Sequence, residues 1–351
     1  MDQPVAKPLK SADSHLPAGH PPVRFGKVGV LLANLGSPSG TDYWSMRRYL
    51  KQFLWDQRVI EVARPLWWLI LNGIVLTTRP QKSGEAYRTI WNTERDEAPL
   101  ITITRGQSDK LAERLAGDEI VVDWGMRYGE PAIGDRLKAL KDQGCDRILI
   151  APLYPQYAAA TTATANDAAF EALQSMRWAP AIRTLPPYHD DPVYIEALAE
   201  SVSQHLATLA FEPELVIASF HGLPKEYLDK GDPYHCHCYK TARLLRESLG
   251  WSEDRLKVCF QSRFGRAEWL QPYFDKTVES LAKGGLKRLA VVMPGFSADC
   301  LETLEEIAIG GGEIFRENGG EDYAAIPCLN DSEAGMRLIE HLVRREVAGW
   351  V

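Results

Sequence analysis

Leu215-Val216-Ile217-Ala218-Ser219-Phe220-His221-Gly222-Leu223-Pro224 is an apolar run that stops at a histidine, a glycine and a proline. Its short length and β-branched residues predict a buried parallel strand, and Gly222 and Pro224 then force the backbone to turn. In open α/β sheets, ligands bind at the loops that follow the carboxyl ends of strands. His221 stands at that place. Imidazole is the side chain whose ordinary pKa suits proton transfer near neutral pH, so His221 is either a general base or a residue that hydrogen-bonds its own turn.

Working outward, the same design recurs. Val28-Gly29-Val30-Leu31-Leu32-Ala33-Asn34-Leu35-Gly36 predicts the first strand, and Val30 to Leu35 echoes Val216 to Phe220. Arg147-Ile148-Leu149-Ile150-Ala151-Pro152 is likewise echoed by Arg288-Leu289-Ala290-Val291-Val292-Met293-Pro294, and Val121 to Gly129 supplies a further strand. The pattern predicts an α/β fold of two similar halves, each a parallel sheet with helices on both faces, around a cleft lined by carboxyl-end loops. We divide the chain into a flexible lead-in (1–22), a first half (23–190), a second half (191–329) and a final helix that packs back on the body (330–351). Met336, Ile339, Leu342 and Val343 form the stripe of that helix, and Asn330-Asp331-Ser332 precedes it as a cap.

The 351 residues are 45% hydrophobic and 25% charged, an ordinary globular composition in a chain long enough for two cores. A formal net charge of −7 with no basic stripe excludes a general nucleic-acid binder. The start of the chain lacks the apolar centre of a secretory signal, which predicts a cytoplasmic protein with its six scattered cysteines reduced. Pro65 to Thr78 is the most apolar uncharged run. It is too short for the roughly 20 residues of a spanning helix, and its paired Trp67 and Trp68 suit a core helix, a membrane surface or the lip of an apolar pocket.

Ser297-Ala298-Asp299-Cys300-Leu301-Glu302-Thr303-Leu304-Glu305-Glu306 is the other chemically informative stretch. A helix beginning near Asp299 sets Asp299, Glu302 and Glu306 on one face, with Leu301, Leu304 and Ala308 turned to the core. Carboxylates so placed take up protons or cations more readily than isolated ones. A capping box of Asp299 and Glu302 is the plainer reading, and it leaves Glu306 unexplained. A base opposite a carboxylate ladder, without a nucleophile motif, phosphate loop or zinc spacing, points to proton removal or cation handling.

At these residues the sequence resembles the ferrochelatases, which insert Fe(II) into a porphyrin in the last step of haem synthesis. The resemblance runs from about Val28 to the final helix. It is carried by Asn34-Leu35-Gly36-Ser37-Pro38, Arg79-Pro80 with Tyr87-Arg88, Gly125-Met126-Arg127-Tyr128-Gly129, Pro152-Leu153-Tyr154-Pro155-Gln156-Tyr157 with Thr161-Thr162, Ser219 to Pro224, Gly231-Asp232-Pro233-Tyr234, Gln261-Ser262-Arg263, and Asp299 with Glu302 and Glu306. It implies two Rossmann-like, chelatase-type halves around a porphyrin cleft. It also assigns His221 and Glu302 as catalytic and metal-binding, Asp299 and Glu306 to a proton or metal relay, and Leu35, Arg79, Arg127 and Tyr128 to porphyrin binding. Residues 43–80 become an apolar lip that allows peripheral membrane contact.

The partners implied are protoporphyrin IX and Fe(II), the iron as substrate, with no resident cofactor required. Leu35, where relatives acting on coproporphyrin tend to carry tyrosine, favours protoporphyrin. Other readings are a haem or porphyrin carrier on the same scaffold, or a chelatase for another metal or for coproporphyrin. Departures from the family pattern are Ala98 in place of serine and Cys300 in place of the histidine of animal relatives. Animal relatives also hold a 2Fe-2S cluster; here Ala159 takes the place of one ligand, and an internal set of Cys145, Cys236, Cys238 and Cys259 is the less favoured alternative.

Overall fold

The computed structural model describes residues 17–265 and 267–351, so most of the lead-in expected over 1–22 lies outside the described residues. Strands β1 (Lys27–Gly36), β2 (Ile120–Tyr128), β3 (Cys145–Pro152) and β4 (Ala181–Thr184) form a parallel sheet in the order β2-β1-β3-β4. Strands β5 (Leu215–His221), β6 (Leu256–Gln261), β7 (Arg288–Val292) and β8 (Asp322–Ala325) form a second in the order β6-β5-β7-β8. Counted from the start of each half, the two orders are the same. The echo of β1 in β5 and of β3 in β7 is therefore a repeat of place as well as of sequence, and the fold is α/β with two Rossmann-like halves.

Central strands are covered on both faces, which is why they read as unbroken apolar runs rather than alternating ones. Val28 to Ala33 in β1 and Leu215 to Phe220 in β5 are buried throughout. Gly36 ends β1 at a φ of 109°, and a Cβ there would stand 1.7 Å from the Tyr128 carbonyl oxygen, so only glycine lets β1 turn beside β2.

Between β1 and β2 lie α1 (Tyr43–Trp55), α2 (Arg64–Ile70), α3 (Leu76–Ile90) and α4 (Pro99–Arg114). Asp42 caps α1, accepting the Trp44 and Ser45 N–H groups at 2.9 and 3.1 Å. A π-helical turn, Leu71–Val75, joins α2 to α3, and α3 runs on to Ile90 with Pro80 buried inside it. The segment is both core and rim. Met46, Leu50, Leu54, Leu71 and Leu76 are buried, while Trp44, Leu66, Trp68, Leu69 and Ile74 stand exposed.

On one face of the first sheet pack α5 (Ile133–Asp142) and α6 (Thr164–Gln174). The other face shares a single core with one face of the second sheet, filled by α7 (Pro192–Thr208), α9 (Tyr234–Ser248) and α12 (Glu333–Val347), α8 being the short turn Lys225–Asp229. The far face of the second sheet is covered by α10 (Phe274–Lys283), α11 (Gly312–Glu317) and the π-helix Glu302–Gly311. Ser332 caps α12 by accepting the Gly335 N–H at 3.2 Å, and its Met336-Ile339-Leu342-Val343 stripe is buried.

Candidate active site

His221 ends β5 in register with Gln261 at the end of β6. Gly222 follows because a Cβ there would lie 2.7 Å from the Gln261 carbonyl oxygen, the atom to which its N–H donates at 2.8 Å. The His221 Nδ1 lies 2.6 Å from the Gly222 carbonyl. A carbonyl only accepts, so Nδ1 carries the hydrogen, and in the neutral ring Nε2 keeps its lone pair. Bonding its own turn thus leaves the other nitrogen basic.

The carboxylates sit on a π-helix, whose i→i+5 bonding is rare in long runs and tends to mark function. Its wider turn moves the buried face to Thr303, Ile307 and Gly311, four residues apart. Leu301, Leu304 and Ala308, expected on the core side from α-helical spacing, are only half-buried. Asp299 departs from the expected ladder as well. It precedes the π-helix, is buried, and accepts from Thr303 Oγ1 at 2.9 Å, Asn330 Nδ2 at 2.6 Å and the Cys328 N–H at 3.4 Å. Those fixed donors hold it as an anchor, and no capping box forms, since no side chain caps the π-helix.

Glu302 and Glu306 remain, one turn apart. Glu306 accepts the Ser262 N–H at 2.7 Å and its Oγ–H at 2.6 Å. Burial is the largest influence on Glu306 and pushes its carboxyl up, with the charge of Glu302 adding; the Ser262 bonds and the neighbouring His221 oppose them. Gln261 ties the site together, accepting from Ser219 Oγ at 2.7 Å and donating to the Glu302 carbonyl at 2.9 Å. From the first half, Tyr49 and Tyr87 face Glu302; burial chiefly, and then neighbours that include Glu302, push both phenols up. Cys300 is raised in the same way, by burial and then by Glu302.

A further polar group lies where β2 ends. Asp56, just past α1, accepts from Arg127, from the Tyr128 hydroxyl at 2.8 Å and from Thr164 Oγ1, while Arg127 Nε also donates to Thr164. Burial alone would raise the Asp56 carboxyl, but the Thr164 bond first, then those of Arg58 and Tyr128 and the Arg127 charge, hold it below its usual range. Tyr128 is fully buried and its hydroxyl props Asp56. Arg79 is exposed, its guanidinium 5.2 Å from the Phe264 ring of the second half, and has no carboxylate partner among the described residues. Leu35 is half-buried against a cluster that also holds Tyr49, Tyr87 and Cys300.

The four cysteines weighed as cluster ligands do not converge. Cys145 is buried under α5 and α6, Cys238 in the shared core and Cys259 under α10, whereas Cys236 is exposed. Burial pushes the Cys145 and Cys259 thiols up to about 11, the reverse of what thiolate ligands need. Among the described residues no group of three or more His, Cys, Asp or Glu is set to hold a metal ion. Asp56, Thr164, Gln261, Ser262 and Tyr49 join the candidate site through these contacts, and their sequence neighbourhoods assign them no role.

A ferrochelatase family model matches residues 27–347, which takes in every element just described from β1 to α12. The chain belongs to the ferrochelatase family. It is an enzyme, a metal chelatase that makes haem by inserting iron into a porphyrin. The ferrochelatase of Rhizobium meliloti is 65% identical to it over 333 residues, 95% of this chain and 98% of the relative. That of Mesorhizobium japonicum is 60% identical over 353 residues, 100% of this chain and 98% of the relative. Among solved structures, SirB from Bacillus subtilis with Fe3+ aligns with a TM-score of 0.54 at 14% identity, covering 92% of this ferrochelatase chain and 96% of its own. DR2241 from Deinococcus radiodurans aligns at 0.53 and 11% identity over 90% of this chain and 55% of its own. At such identities the likeness is one of fold.

Proposed function

We propose that the chain inserts Fe(II) into protoporphyrin IX in the cleft between residues 23–190 and 191–329, with His221 as the proton acceptor at the macrocycle. The observation that carries this reading is the tautomer of His221, whose Nδ1–H is spent on Gly222 while Nε2 keeps its lone pair. Metallation exchanges two pyrrole protons for one Fe(II), so the site needs a base at the ring and a route by which protons leave. His221 takes a pyrrole proton at Nε2, and its Nδ1–H bond to Gly222 persists in the imidazolium. Glu306, raised by burial, is suited to receive protons in turn, and Glu302 beside it to receive protons or to guide the iron.

Leu35 and the apolar rim would meet the face of the macrocycle, and Arg79 and Arg127 its propionates. The exposed Trp44, Leu66, Trp68, Leu69 and Ile74 support a peripheral membrane contact for a cytoplasmic protein; among the described residues no helix is long and apolar enough to cross a membrane.

The test is anaerobic mixing with protoporphyrin IX and Fe(II), following loss of free-porphyrin absorbance, with His221→Ala and coproporphyrin run in parallel. Turnover that collapses in His221→Ala is expected. Undiminished turnover in that variant would remove His221 from the mechanism, and faster turnover of coproporphyrin would overturn the choice of substrate.

A further inference from the structure

The histidines interleaved with cysteines in Tyr234-His235-Cys236-His237-Cys238 have no part in the chemistry above. Both lie on the first turns of α9: His235 stacks on Phe260 of its own half, and His237 meets a loop of the other half. The His237 Nδ1 accepts the Tyr157 N–H at 3.2 Å. Two residues on, the Ala159 N–H donates to Asp232 Oδ2 at 2.8 Å, while Asp232 Oδ1 accepts the Tyr234 N–H at 3.0 Å and so secures the start of α9. One residue earlier, Gln156 Nε2 donates to Thr241 Oγ1 at 3.0 Å, and Thr241 itself donates to the His189 carbonyl at 2.7 Å. The loop Gln156 to Ala159 follows β3, whereas Asp232, His237 and Thr241 follow β5.

The His237 ring is itself held. It stacks on His189 with centroids 3.6 Å apart and planes 6° from parallel, and the Lys240–Asp190 ion pair closes the same side. Because Nδ1 accepts from a backbone N–H, it carries no hydrogen of its own.

What the loop carries gives these bonds a use. Ala159 opens the π-helical turn Ala159–Ala163, which runs without a break into α6, and Thr164 at the head of α6 bonds Arg127, Tyr128 and Asp56. We propose that Asp232 and His237 are positioning residues for the reaction: they clamp the Tyr157–Ala159 backbone and, through Thr164, set the Arg127 guanidinium where a porphyrin carboxylate docks. The kinetic part rests on the reading that Arg127 meets that carboxylate.

Two substitutions separate the hydrogen bond from the bulk of the ring. His237→Leu removes the acceptor and keeps the volume, and His237→Asn returns an acceptor where Nδ1 stands. We expect His237→Leu to raise the porphyrin KM roughly five- to tenfold, the scale of one hydrogen bond, and to leave the iron KM unchanged. Amide exchange at Tyr157 and Ala159 should quicken in the same variant, and His237→Asn should restore both readouts. Equal behaviour of the two variants overturns the clamp. Should His237→Leu fail to fold, His237→Asn decides alone, because a raised porphyrin KM or quickened exchange in it contradicts the proposal. Arg127→Leu is measured beside them: an unchanged porphyrin KM there removes the role of Arg127 and the kinetic part with it, whereas unaltered exchange in His237→Leu removes the clamp itself.

Discussion

Ser262 is a non-glycine residue held at a φ of 65°, and both of its donors are spent on the Glu306 carboxylate. Donors to a charged carboxylate favour that form, so Ser262 works against the burial that raises Glu306. In Ser262→Ala one donor is lost, the carboxyl rises further, and the acidic limb of the kcat profile should move to higher pH. A profile that superimposes on the wild type would show that Glu306 does not titrate in turnover. Ala98 makes a simpler case. It stands at the N-cap of α4 in an extended conformation and offers no side-chain bond, so Ala98→Ser should stabilise the fold by about 1 kcal/mol in denaturant melts. The place of His221 at a strand end was legible in the sequence because strand, histidine, glycine and proline fall in a row; Ser262 stood there only within Gln261-Ser262-Arg263 and without a role, since a serine in left-handed backbone carries no mark of it.

At the scale of elements, α-helical spacing over Asp299 to Glu306 puts Leu301, Leu304 and Ala308 on the buried face, whereas the i→i+5 helix buries Thr303, Ile307 and Gly311. Strands β1, β2, β3, β5 and β7 were legible as apolar runs. β4, β6 and β8 were not: β4 and β8 are four residues long, largely half-exposed and carry Arg183 and Asp322, and the short Val258-Cys259-Phe260 run of β6 is bounded by Lys257 and Gln261. The stacked His189 and His237 bear on stability. Burial first, and then the neighbouring His237, lower His189 to about 4 from an ordinary 6.5. The unfolded chain then binds the extra proton, so this contribution is complete above about pH 6.5 and drains away as the pH falls toward 4. Asp190, held low chiefly by Lys240, weakens only below that window. Melting temperatures between pH 7.5 and 5 should therefore fall less in His189→Phe than in the wild type; parallel slopes would contradict this. On the rim, Leu69→Glu with Ile74→Glu should weaken sedimentation with anionic vesicles, and unchanged sedimentation would discard the membrane contact.

At the scale of the molecule, the repeat of two parallel-sheet halves was legible in the echoes of β1 in β5 and β3 in β7, but neither the strand order nor the way the halves share a core was. Val30 and Leu32 of β1 belong to the same buried cluster as Val216 and Ala218 of β5, with α7, α9 and α12 between them. We expect calorimetry to show one unfolding transition whose measured and van't Hoff enthalpies agree; two resolved transitions would mean that the halves fold independently. The end of the chain fastens this arrangement. Arg183 donates to the Ala348 carbonyl at 3.0 Å beneath the Trp350 ring, Arg147 donates to the Trp350 carbonyl at 2.6 Å, and Arg114 pairs with Glu333 and Glu340 of α12.

That return of α12 to the first sheet has a consequence for synthesis. The ribosome completes β4 roughly ten to thirty seconds before it releases the helix that covers the neighbouring apolar face. A nascent chain must keep Leu149 of β3 from strangers for that interval, and a message cut short before residue 333 never ends it. Truncated products should therefore accumulate as chaperone clients and aggregates, without a trace of half-active enzyme.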